Sequence, residues 1–161
     1  MSTSHNFALK LDLKHLENSV IVEIGSARTK EFQDSSTFFF EKLSIKYDTD
    51  FFTIDFSEEV IDSIPNTFSQ IKLKESGEVF LKNYSNYSKK KIGILYLDNF
   101  DIIYNAKHKK SLLSRVGDTY TKKNIDLTNE NSAKVHLEQL KLSQKYLHSK
   151  AHVIIDDTSF R

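Results

Sequence analysis

Ile94-Leu95-Tyr96-Leu97-Asp98-Asn99-Phe100-Asp101 and His152-Val153-Ile154-Ile155-Asp156-Asp157-Thr158 are two short apolar runs that each stop on carboxylates. Strands of a parallel sheet buried on both faces read as near-continuous hydrophobic stretches, and ligands bind just beyond their carboxyl ends. Two acid-tipped strands therefore place several carboxylates around one crevice, a donor set suited to a divalent metal or a polar ligand.

The rest of the chain supplies partners for these strands. Val20, Ile21, Val22, Glu23 and Ile24 form a largely β-branched run that ends at Gly25, which reads as a buried strand followed by a turn. Asp34-Ser35-Ser36-Thr37 then precedes Phe38, Phe39, Phe40 and Leu43, the order of an N-cap before an apolar helix. Residues 51–56 read as a second strand with Asp55 at its tip. Ser57-Glu58-Glu59 caps and charges the start of a helix that Pro65 closes. Residues 71–74 form a third strand, 77–84 a short helix and 92–97 the fourth strand. In 131–148, Ala133, Leu137, Leu140 and Leu147 recur at helical steps, predicting an amphipathic helix before a fifth strand at 152–155. Strands alternating with helices make βαβ units. The expected fold is α/β: a Rossmann-like, doubly wound, mainly parallel sheet of about five strands with helices on both faces.

At 161 residues, a single domain over 1–161 is expected. A net charge of +1 leaves no global pull toward nucleic acid or a membrane surface, and Lys89-Lys90-Lys91 lies in no recognition motif. The absence of cysteine excludes disulfides and thiolate metal sites and suits a reducing cytoplasm, where the protein is expected to reside. No segment approaches the roughly 20 apolar residues of a spanning helix, so no membrane partner is expected. The expected partner is a small-molecule substrate, with a homodimer left open. Residues 106–126 lack clear periodicity and follow the fourth strand directly, as a lid or binding loop would. Lys107, Lys109, Lys110, Arg115, Lys122 and Lys123 make this stretch basic, suiting either an anionic substrate or a solvated surface.

A strand, Gly25, a loop and a Ser/Thr-capped helix make a nucleotide-type βα turn. Helix amides near Ser36 and Thr37 would face a carboxylate or phosphate, and Asp55 would accept from ribose hydroxyls. Glu23, Gly25 and Ser26, the Asp34–Thr37 helix entry, Asp55, Asp98 and the Asp156-Asp157 pair together resemble the class I S-adenosylmethionine-dependent methyltransferases, from about Ser19 to Arg161. The resemblance implies S-adenosylmethionine as cofactor. Glu23 and Gly25 would lie by its methionine end, with Ser26 a further cofactor-binding residue, Ser36 or Thr37 at the methionine carboxylate and Asp55 at the ribose. Asp98 belongs to both the cofactor side and the catalytic side.

Relatives carry more glycine in this loop, often one where this chain has Ser35. They also end in an antiparallel hairpin, strands 6 and 7, for which this chain has no residues. The nearest pattern within the family is the metal-dependent small-molecule O-methyltransferase type. By that likeness Asp98, Asp156 and Asp157 would hold Mg²⁺, which lowers the pKa of a bound hydroxyl. A metal-free polar pocket and ordinary polar strand ends fit the same residues.

His136, near the start of the last helix, is a candidate base at the pocket mouth, against the plainer reading of a solvent-facing helix histidine. His5, His15, His108, His148 and His152 show no pair at metal-ligand spacing. The leading expectation is S-adenosylmethionine-dependent O-methylation of a small hydroxylated molecule. The alternative is a shortened, non-catalytic methyltransferase-like module. A Mg²⁺-dependent phosphohydrolase fits less well, because Asp101 stands three residues after Asp98 where that pattern needs two.

Overall fold

The computed structural model describes residues 11–26, 35–65, 70–98 and 126–156, with 103, 105–107, 109–111, 113–114, 121 and 124. Asp34, Asp101, Asp157, His5, His108, Arg115, Lys122 and Lys123 lie outside the described residues.

Five strands form one parallel sheet in the order β3-β2-β1-β4-β5: β1 (Ser19–Ile24), β2 (Phe51–Asp55), β3 (Ile71–Lys74), β4 (Lys91–Leu97) and β5 (Leu147–Ile155). The central strands β1, β2 and β4 are buried on both faces, which is why they read as near-continuous apolar runs. The chain winds outward from β1 to β3, then crosses to β4 on the other side. This puts the topological switch point between β1 and β4, where α/β sheets open a crevice at their carboxyl ends.

Four of the helices begin where a side chain satisfies an orphan amide. Ser35 caps α1 (Ser36–Tyr47), Ser57 caps α2 (Glu58–Ser63), and Ser76 caps α3 (Gly77–Lys82). The short α4 (Tyr84–Tyr87) follows α3. Thr128 caps α5 (Asn129–Ser143) by accepting from Asn131 N, so α5 starts two residues earlier than the periodicity suggests. Between β4 and α5, the described residues from Ala106 to Ser114 are helical, and Lys107, Lys109 and Lys110 are exposed.

On one face, α1 and a 3-10 turn at Lys14–Asn18 bury Leu13, Leu16, Phe40 and Leu43 against Ile21, Phe51, Ile94 and Tyr96. On the other, Phe80, Leu81 and Tyr84 cover Val20, Val22, Ile24, Phe52, Leu95 and Leu97, with Leu142 and Tyr146 at the margin. Each such large side chain contributes about 1.5–3 kcal/mol on burial.

Two details depart from the sequence reading. The helix expected over 131–148 stops at Ser143; a 3-10 turn follows at Gln144–Tyr146, and Leu147 already pairs with Ile92 in β5. β5 then advances from Leu147 to His152 while β4 advances only from Ile92 to Ile94, a bulge that carries Ser149 and Lys150 into solvent. The buried stripe of α5 is also not the apolar one. Ser132, His136, Gln139 and Ser143 face inward while Ala133 and Leu137 are exposed. The Gln139 amide donates to Glu78 Oε1 at 2.6 Å, so the α3–α5 contact carries buried polar groups.

Candidate functional site

The carboxyl ends of the strands bring the sequence-selected acids into one row. Glu23 lies beside Thr53 of β2 and Tyr96 of β4, and all three project toward the face that α1 covers. The ladder continues two residues on: Gly25 N donates to Ile54 O, Asp98 N to Ile24 O and Asp156 N to Leu97 O. Asp55, Gly25, Asp98 and Asp156 therefore stand at one level across β2, β1, β4 and β5. With strands about 4.8 Å apart, Asp98 and Asp156 are neighbours and Asp55 lies about two spacings from Asp98. Gly25 has φ 96°, a left-handed conformation that a side chain would strain, so the turn requires glycine.

Asp55 is held ready by backbone amides. Its Oδ2 accepts from Ser26 N at 3.3 Å and its Oδ1 from Ser57 N at 2.8 Å, which fixes the carboxylate plane.

Glu23 is fully buried, and hydroxyls surround it. Ser36 Oγ donates to Oε1 at 2.5 Å; Thr37 Oγ1 and Thr53 Oγ1 each donate to Oε2 at 2.7 Å. Because Thr53 gives its single proton to Glu23, Ser26 is the donor in the 2.6 Å Ser26–Thr53 contact. Burial pushes the Glu23 pKa up to about 7, the three hydroxyls oppose the shift, and the charge of Asp55 adds to it. The Ser36 and Thr37 side chains, expected at a ligand carboxylate, are thus given to Glu23.

On the far side, Tyr96 OH donates to Asp156 Oδ2 at 2.5 Å. Burial, together with the charges of Asp98, Asp156 and Glu23, holds this phenol far above its ordinary pKa, so it remains a donor. Tyr96 escaped the sequence reading. Its signal was a lone hydroxyl inside an otherwise aliphatic buried strand, which needs a partner. Asp98 and Asp156 are two of the three carboxylates of the metal reading, and Asp157 lies outside the described residues. Among the described residues no group of three His, Asp or Glu side chains is placed to hold a metal ion.

His136 sits on the buried face of α5, not in solvent; burial lowers its pKa and the charge of Glu78 on α3 opposes that shift. The influence of Glu78 places it on the side of α5 that faces α3. Asn129, at the start of α5, clamps the segment after β4: its side chain accepts from Ile103 N at 2.6 Å and donates to Ile103 O at 3.0 Å.

Three histidines far apart in sequence also meet. The ring of His15 lies 5.3 Å from those of both His148 and His152. His15 and His148 are stacked at 19°, an arrangement that keeps their lone pairs from converging on one point. A cavity of about 350 Å³ lined by Ser44, Ile45, Asp48, Thr49 and Asp50 opens at the opposite end of β2. There Asp48 serves as the left-handed cap of α1 and Asp50 pairs with Lys90, so neither aspartate is set up for chemistry.

No protein-family model matches the chain, and no curated protein or solved structure matches it. The described helices include none long and apolar enough to cross a membrane.

Proposed function

We propose that the carboxyl ends of β1, β2 and β4 bind a nucleoside-containing cofactor, and that the protein is an S-adenosylmethionine-dependent methyltransferase acting on a small hydroxylated molecule. The observation that carries this reading is the row of Asp55, Gly25, Asp98 and Asp156 at the switch point, with Asp55 pre-oriented by the Ser26 and Ser57 amides. Asp55 accepts from the ribose hydroxyls, and Gly25 lets the backbone come close. When bound, the cofactor supplies an electrophilic methyl group. Asp98 and the Tyr96-oriented Asp156 line the acceptor side, where one of the two carboxylates takes the hydrogen bond from the acceptor hydroxyl.

A second reading has its own support. Ser36 and Thr37 give their hydroxyls to Glu23, which favours a methyltransferase-like module that binds without catalysing.

Calorimetric titration with S-adenosylmethionine and with S-adenosylhomocysteine, with and without Mg²⁺, tests both readings. Saturable binding that Asp55→Ala abolishes and Asp98→Ala leaves in place supports the cofactor assignment. Folded protein that binds neither compound sinks it. Binding without methyl transfer to any hydroxylated acceptor favours the module.

A further inference from the structure

We infer that Glu23 is a proton-operated latch that joins the first turn of α1 to β1 and β2, and that its protonation state sets which way its hydrogen bond with Ser36 runs.

The geometry defines two states. As a carboxylate, Glu23 accepts three hydroxyl hydrogen bonds and donates none: Ser36 on Oε1, Thr37 and Thr53 on Oε2. As a carboxylic acid protonated on Oε1, it keeps both threonine bonds and donates to Ser36 Oγ. The 2.5 Å separation suits an O–H···O bond in either direction. Ser36 then no longer spends its hydrogen on Glu23. That hydrogen becomes available at the first turn of α1, next to the ligand end proposed above, and this consequence alone rests on that reading.

The surroundings make the exchange accessible near neutral pH. Among the described residues, every element packed against Glu23 presents either a neutral donor or a negative charge. α1 offers Ser36 and Thr37, β2 offers Thr53 and the carboxylate of Asp55, and β4 offers Tyr96, whose phenol stays protonated. Among the described residues no cation pairs with it. A fully buried carboxylate without a counter-ion is costly, and three hydroxyls offset only part of that cost. Its pKa accordingly rises from 4.5 to about 7.

The sign follows from linkage. Between these values the folded protein binds more protons than the unfolded chain, so stability from this group is fully present below 4.5 and is lost as pH rises through about 7. The unfolding equilibrium constant would rise by on the order of 100-fold across that window from Glu23 alone.

Glu23→Gln mimics the acid, since its amide oxygen accepts from the threonines and its NH₂ donates to Ser36. Urea unfolding of wild type and variant from pH 4.5 to 8 should show wild type losing stability relative to the variant by on the order of 100-fold in equilibrium constant. Parallel pH profiles would overturn the inference. Carbon-13 NMR of side-chain-labelled wild type does not depend on the variant folding: one glutamate carboxyl should titrate with a midpoint near 7 in ligand-free protein. If every glutamate titrates in the ordinary carboxylate range, the latch is refuted. Both readouts need no ligand, so failure of S-adenosylhomocysteine to bind would count against the cofactor reading and leave the latch to be decided on its own results.

Discussion

Gly77 is the first residue of α3, and a methyl group there has nowhere to go. A Cβ would sit 2.4 Å from Ile24 Cγ2, 3.0 Å from Ile24 Cδ1 and 2.9 Å from Gln139 Nε2. Ile24 is the last residue of β1 and is β-branched, so its Cγ2 cannot swing aside without leaving a favoured rotamer. Gln139 is tied to Glu78. Overpacking of this kind costs about 1–3 kcal/mol, and the better helix propensity of alanine returns at most about 1 kcal/mol. The 2.4 Å approach puts the overpacking in the upper part of that range, about 2–3 kcal/mol, so after a gain of about 1 kcal/mol Gly77→Ala should destabilise by about 1–2 kcal/mol, a fall in Tm of about 2–8 °C for a chain this long. Urea and thermal unfolding followed by circular dichroism would measure it. Ile24→Leu moves the branch away from Cβ at modest cost, so Gly77→Ala should cost about 1 kcal/mol less in that background. The reasoning is refuted if Gly77→Ala is neutral or stabilising, or if its cost is the same in both backgrounds.

Gly93→Ala would place a Cβ 2.1 Å from Ser19 Oγ and 2.8 Å from Leu16 Cδ2. It should cost about 1–3 kcal/mol in urea unfolding and speed amide exchange in the Lys14–Asn18 turn; unchanged exchange there would show that the turn does not depend on this contact. Tyr96→Phe removes the donor to Asp156 Oδ2 and should destabilise by about 1–2 kcal/mol in urea, with a loss under about 0.5 kcal/mol contradicting the pairing. Asp55→Asn turns an NH₂ toward a backbone N–H, so a stability loss of about 1–3 kcal/mol and weaker S-adenosylhomocysteine binding by calorimetry are expected together. Asp62→Ala breaks only an exposed pair with Lys74 and should move thermal stability by no more than about 0.5 kcal/mol.

The parallel sheet was legible because β1, β2 and β4 are buried on both faces and their residues say so directly. Caps at Ser57 and the entry to α1 were legible for a local reason: one side chain meets an amide three residues on. The face of α5 was not. Periodicity counts apolar residues, and this helix buries Ser132, His136, Gln139 and Ser143, with Gln139 bonded to Glu78 of α3 and Ser143 to Leu140 O, while leaving Leu137 outside. The same failure hid the environment of His136. The strand tips were found from their aspartates. What joins them was harder to see: Tyr96 on Asp156, and three hydroxyls on Glu23, are pairings between residues distant in sequence, set by register. The histidine cluster around His15 has the same origin, because it depends on where the bulged start of β5 lands beside the Lys14–Asn18 turn.

The claim that the carboxyl ends of the strands form a nucleoside site is tested most directly by amide chemical shifts during titration with S-adenosylhomocysteine. Saturable shifts should concentrate at Gly25, Ser26, Ser36, Asp55 and Asp98, while Ser44, Asp48 and Asp50 at the opposite end of β2 stay in place. No shifts at saturating ligand, or shifts confined to the cavity around Asp48 and Asp50, would contradict the account.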